Sequence, residues 1–194
     1  NGYVRALPNA KFVSLPVVHV STQSDIDKLP DSFDTETVIE IRKDRDWVSL
    51  VYNRGIENAI LVVRGATNIV LRGPARAIAK DSSEITAFNA TVEACDDSVI
   101  YSDEASEVYA TSRSTVHATG ASGVYAQGRS LVHAGGKSIV HARGNATVIA
   151  IDGEASVHAK GFATVHAQKG ATVFAAGDSR VIATHGIPVE ATES

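Results

Sequence analysis

From Ser114 the chain reads STVHATGA (114–121), SGVYAQGR (122–129), SLVHAGGK (130–137), SIVHARGN (138–145) and ATVIAIDG (146–153). After Glu154 it continues ASVHAKGF (155–162), ATVHAQKG (163–170), ATVFAAGD (171–178) and SRVIATHG (179–186). The unit is (Ser/Ala)-x-Val-x-Ala-x-(Gly/Asp)-x. Successive side chains of a strand point to opposite faces, so the small residue, the Val and the Ala face one way. The residues between them face the other way and vary. A turn residue then ends each short strand, at Gly120, Gly128, Gly136, Gly144, Gly161 and Gly177, because Gly tolerates left-handed backbone angles. Period-two alternation with a β-branched residue at its centre disfavours helix.

Taking the central position as a marker, the repeat extends backwards through Ile69, Ala77, Ile85, Val92, Val99 and Val108 to give fifteen octads ending at Val181. The steps are eight except for sevens at Ile85–Val92 and Val92–Val99 and nines at Val99–Val108 and Val148–Val157. Octads that cannot bury an inner face alone stack into a β-solenoid. The expected fold is therefore all-β, a parallel β-helix. Two octads per coil would make a flat coil of 16 residues and three a triangular coil of 24.

The outward residue after the marker decides for 24 on this reading. Every third octad places Ile78, Ile100, Tyr125, Ile149 and Phe174 in one apolar column, and His117, His141 and His166 in another. Ala59–Ala66 fits as a further octad with Leu61 at its marker, and Thr37–Arg42 and Trp47–Tyr52 read as looser sides of a first coil. The solenoid is then expected over 37–186, about six coils and roughly 30 Å at about 4.8 Å per strand. Residues 1–36 hold Pro8, Pro16 and Pro30 and a capped helical stretch, Ser24–Leu29. They are expected to cap the open end, which otherwise exposes unpaired backbone. Residues 187–194 form a tail.

The octads ATVHAQKG, SIVHARGN and ASVHAKGF resemble the A-(S/T)-V-x-A-x-(G/D)-x octapeptide repeats of β-solenoid proteins encoded by actinobacteria and their phages and prophages. Thr37–Gly73 is similar to the non-repetitive lead-in that precedes such tracts. The resemblance implies a β-solenoid of structural or surface type in a virion, prophage or cell-surface setting, with no catalytic motif to carry over. This chain departs from many relatives in carrying His where they carry Trp, Tyr or Arg.

Composition narrows the function classes. The 194 residues are 44% hydrophobic but only 6% aromatic, with no Met, so the core must be thin. A net charge of −4 argues against a nucleic-acid partner held through phosphates. One cysteine, Cys95, excludes an intramolecular disulfide and thiolate-rich zinc sites. No apolar run reaches the roughly 18–20 residues of a membrane-crossing helix. The chain opens on Asn1 rather than Met, which reads as a processed or excised product.

Four candidate sites remain. His117, His141 and His166, stacked at strand spacing, are candidate transition-metal ligands, against the plainer reading of solvated fillers of a flat face. Asp81 and Asp103, expected at one corner of adjacent coils within a stretch (81–112) of eight acids and no Lys or Arg, are candidate Ca²⁺ ligands, against a solvated acidic collar. Cys95 beside Glu93 reads as an inert thiol. The apolar column Ile78, Ile100, Tyr125, Ile149 and Phe174 is the expected interface, through which the chain self-associates or meets a protein partner. No cofactor is expected. The leading function is a non-enzymatic structural or interaction module. The alternatives are a glycan- or polymer-binding module along the His/Tyr face and a polysaccharide-acting hydrolase or lyase using the acidic coil.

Overall fold

A computed structural model of the chain describes residues 4–6, 12–42, 49–168, 170–184 and 187–192. Trp47, Pro8 and His185 lie outside them. The protein is all-β, a β-solenoid of about nine turns built from parallel strands in two sheets of eleven and nine. Strands alternate between the sheets, so the chain runs along one wall, turns a corner, runs along the other and turns again.

The register is the decisive observation. In the first sheet Val92 pairs with Val108, Val108 with Val124 and Val124 with Val140. In the second, Val116 pairs with Val132 and Val132 with Val148. Each strand therefore hydrogen-bonds to the strand two octads away, and a regular turn has two walls and 16 residues. The expected triangular coil of 24 residues is corrected by this pairing. The physical reason lies inside: Val, Ala and Ser reach so short a distance that two walls close on each other, whereas three would leave an unfilled lumen.

The marker residues are the core. Val92, Val108, Val116, Val124, Val132, Val140, Val148, Val157, Val165 and Val173 are all 0% exposed. One marker is corrected: Ile100, not Val99, points inward, pairing with Ile85 on one side and Val116 on the other. Adjacent β-branched residues offered two alternations, and the inward Ser98 before them selects the second. With Ile100 as marker, the irregular steps reduce to the seven at Ile85–Val92 and the nine at Val148–Val157. The seven lies in the short corner Asn89–Ala90 between strands Glu84–Phe88 and Thr91–Ala94. The nine lies in the long strand Thr147–Gly153, whose register against Leu131–Gly136 slips by one residue after Ala134.

The sheet runs past both expected boundaries. Val17–Val20, within the first 36 residues, pairs in parallel with Ser32–Arg42, and Val189–Thr192, within the tail, pairs with Thr172–Ala176. The helix is Gln23–Asp27, one residue earlier than expected. Thr22 caps it by accepting from the Asp25 amide, while the Asp25 carboxylate accepts from the Thr22 amide at 2.9 Å. Ile26 and Leu29 are buried in the core. Gln23 also reaches Val51, on the end strand of the second sheet: its side-chain nitrogen donates to the Val51 carbonyl at 2.9 Å, and its side-chain oxygen accepts from the Val51 amide at 2.8 Å.

The two corner columns differ in tightness. A Cβ on Gly153, at φ +113°, would lie 2.5 Å from the Gly136 oxygen and 2.6 Å from its nitrogen, whereas one on Gly144, at φ +62°, would meet nothing closer than 3.7 Å. Gly153→Ala is therefore expected to cost about 3 kcal/mol or more and Gly144→Ala about 1–2 kcal/mol, since only the second is confined to the left-handed penalty. Urea unfolding of the two variants checks the order.

Candidate functional site

An in-register parallel sheet stacks each outward side chain on its counterpart one turn away. On the first sheet this produces a continuous ladder of five rings, Tyr109, Tyr125, His141, His158 and Phe174. Their centroids are 5.0, 5.1, 4.9 and 4.7 Å apart, and their planes lie within 20° of parallel. On the second sheet Tyr101, His117 and His133 stack at 4.8 and 4.7 Å. Ile149 takes the next rung and His166 the one after. Within each ladder the ring faces cover one another, the end rings on one side only, and the edges of the Tyr and His rings carry phenol oxygens and imidazole nitrogens. Each such pair adds roughly 0.5–1 kcal/mol to the sheet.

The sequence-derived site residues regroup accordingly. His117 and His166 lie on the second sheet and His141 on the first, so the three do not form one ladder. Stacked imidazoles also turn their nitrogens side by side rather than toward a common point. Among the described residues no group of three or more His, Cys, Asp or Glu converges. The expected apolar column is likewise corrected. Ile78, Tyr125 and Phe174 share the first sheet, Ile149 belongs to the second, and Ile100 is 0% exposed inside the core.

Asp81 and Asp103 sit at opposite corners, Asp81 following the first-sheet strand Arg76–Ala79 and Asp103 ending the second-sheet strand Val99–Asp103. Three acids of this stretch serve the backbone. The Asp81 carboxylate accepts from the Gly65 amide at 3.1 Å, the Asp96 carboxylate from the Asp81 amide at 3.2 Å, and the Asp103 carboxylate from the Glu104 amide at 2.7 Å. Glu104 in turn accepts from the Asn89 side chain, and Asp97 forms a two-bond ion pair with Arg113 at 2.8 and 2.6 Å. Carboxylates so engaged do not assemble the Ca²⁺ site expected of Asp81 and Asp103.

Cys95 is half-buried, with Thr111 Oγ1 donating to its Sγ at 3.8 Å. Burial pushes the thiol above its ordinary pKa. The Thr111 hydrogen bond opposes this, the Glu93 charge adds to it, Lys80 opposes and Asp96 adds. The thiolate that a nucleophile needs is therefore disfavoured. Iodoacetamide at pH 8 is expected to modify Cys95 more slowly in the folded protein than in urea, as read by intact mass.

The ladder that carries the site was missed as a ladder, although the signal stood in the sequence. Tyr109, Tyr125 and His141 follow at steps of sixteen, His158 at seventeen and Phe174 at sixteen. No protein-family model, no curated protein and no solved structure matches the chain.

Burial lowers the pKa of both His117 and His141. The neighbouring His133 adds to this for His117, and His158 and then Arg143 add to it for His141. A histidine depressed in the folded state binds its proton more readily when unfolded. Its stabilising contribution is therefore complete above the unfolded pKa of about 6.5 and is lost as pH falls through the lowered value. The urea midpoint is expected to fall between pH 7.5 and 5.5, and to fall less in a His117→Phe, His141→Phe variant, which keeps the stacked rings without the titration.

Proposed function

We propose that this chain is a non-enzymatic structural and interaction module, a rigid solenoid that self-associates or holds a protein partner through its flat walls. Its resemblance to the octapeptide-repeat proteins supports a place in a virion, a prophage product or a cell surface. The observation that carries the reading is the five-ring ladder on the first sheet, a row of ring edges with polar tips on four of its five rungs, on a wall braced by backbone pairing over its whole length. Its chemistry suits docking: Tyr109 and Tyr125 stay 40% and 39% exposed, large and already ordered, so contact costs little further side-chain freedom. A sugar stacks on an aromatic face, and here all the ladder's faces but those at its two ends are taken by neighbouring rings. That favours a protein partner over a glycan. Of the eight acids of 81–112, Asp81, Asp96 and Asp103 engage backbone amides and Asp97 engages Arg113, which favours a scaffold over a hydrolase.

Of the expected cap 1–36, residues 17–31 act in this reading as the cap of one end. Ile26 and Leu29 cover the core there, and the Gln23 amide stands where the next strand of the second sheet would pair. Gln23→Ala is expected to loosen that end, seen as faster hydrogen exchange at Val51, with the distant ladder unaffected.

Sedimentation velocity over a concentration series tests the module. A species heavier than the monomer that grows with concentration is the expected result. A strict monomer that captures no partner and cleaves or binds a polysaccharide would overturn it.

A further inference from the structure

We infer that the first-sheet wall is a self-docking surface that takes a second copy of this chain with its long axis reversed. The inference rests on the scaffold reading above and specifies its partner. Three outward columns make up this wall. The central one runs Ile78, Glu93, Tyr109, Tyr125, His141, His158, Phe174. On one side lie Arg76, Thr91, Glu107, Gly123, Ile139 and Ser156, and on the other Lys80, Cys95, Thr111, Gln127, Arg143 and Lys160.

Charge is segregated along the rod. Residues 81–112 contain eight acids and no Lys or Arg, whereas residues 113–151 contain Arg113, Arg129, Lys137 and Arg143 and no acid. On this wall Glu93 and Glu107 stand between Arg76 and Lys80 on one side along the rod and Arg143 and Lys160 on the other. Two walls meeting with their axes parallel would set Glu93 against Glu93. Reversing one copy about a two-fold axis between strands Glu107–Ala110 and Gly123–Ala126 sets Glu93 opposite His141, beside Arg143, and does so twice, while Lys80 meets Lys160 only at the two ends of the wall.

The same axis gathers Tyr109 and Tyr125 of both copies at the centre, where binding energy concentrates in interfaces. It also fits shape to shape. Glu107, which accepts from the Tyr109 hydroxyl at 2.8 Å, stands opposite Gly123, where a Cβ would meet nothing within 4 Å. Ile139, 48% exposed, stands opposite the shorter Thr91. Six strands, spanning five residues from one outer column to the other, present about 500 Å² of wall per copy, or about 1,000 Å² in total, the lower limit of a specific interface.

Variants on outward positions, checked for an unchanged β-type circular-dichroism spectrum, test this by sedimentation and cross-linking. Tyr125→Arg is expected to weaken association about tenfold or more. Gly123→Trp, which fills a notch open in the single copy, should do the same. Glu93→Arg and Arg143→Glu should each weaken association, and their combination should restore it. In a Cys95→Ser background, chains carrying Glu93→Cys mixed with chains carrying His141→Cys should join in mixed disulfides. Glu93→Cys chains joining only to each other would overturn the reversed arrangement. Association indifferent to Tyr125→Arg, Gly123→Trp and the charge exchange would overturn this wall as the docking surface while leaving self-association standing. A strict monomer would remove the self-docking surface and leave the scaffold reading only its partner-binding form.

Discussion

Everything in this molecule follows from one constraint: parallel strands pair in register, so whatever stands at one rung stands over its counterpart on the next. Backbone hydrogen bonds impose the repeat, and the side chains must then tolerate being stacked on themselves. Val, Ala and Ser do so inside because their shapes nest at strand spacing. Rings do so outside because planar groups overlap at about 5 Å without steric conflict. Charged residues do so poorly, which is why acids occur where a carboxylate can turn to a backbone amide, as Asp81, Asp96 and Asp103 do.

The same constraint sets the kind of chemistry the walls can carry. A catalytic or metal site needs unlike groups converging on a point, and a ladder delivers like groups running in parallel. The hydroxyls of Ser114 and Ser130, which might have faced a substrate elsewhere, donate to the carbonyls three residues earlier and tighten the corners. The imidazoles stack, and the thiol of Cys95 sits where its thiolate is unfavourable. What a ladder can offer is extent: a straight, ordered surface whose recognition chemistry is spread over many rungs.

Much of the fold was legible in the octads. The inward triplet, the turn glycines, the parallel pairing and the strand positions from Leu61 onward follow from period-two alternation and the residue types. The number of walls was not, because a period of eight is equally compatible with two sides or three. The apolar column that favoured three rested partly on Val99 as marker, an error that turned Ile100 outward. The thin interior deduced from composition was the better guide: small inward residues demand walls that touch. The ring ladder was legible at a spacing of sixteen and was obscured at twenty-four. The pairing of Gln23 with Val51 could not be read in advance, since it depends on a helix meeting a strand 28 residues away.

The core is not uniform along the axis, and the taper bears on how the repeat is set. The largest fully buried side chains, among them Tyr52, Ile39, Ile41, Leu50, Leu61 and Leu71, all precede Val108, and beyond Ile100 the interior is Val, Ala and Ser. Large side chains have distinct shapes and fit one register, whereas a Val/Ala interior accepts a shift of a whole octad with little loss of packing. The irregular lead-in, with its steps of eleven between Ile39, Leu50 and Leu61, therefore carries the side chains whose shapes restrict the register most, and the regular turns beyond it keep their variety for the outward face, where rings stack on both walls.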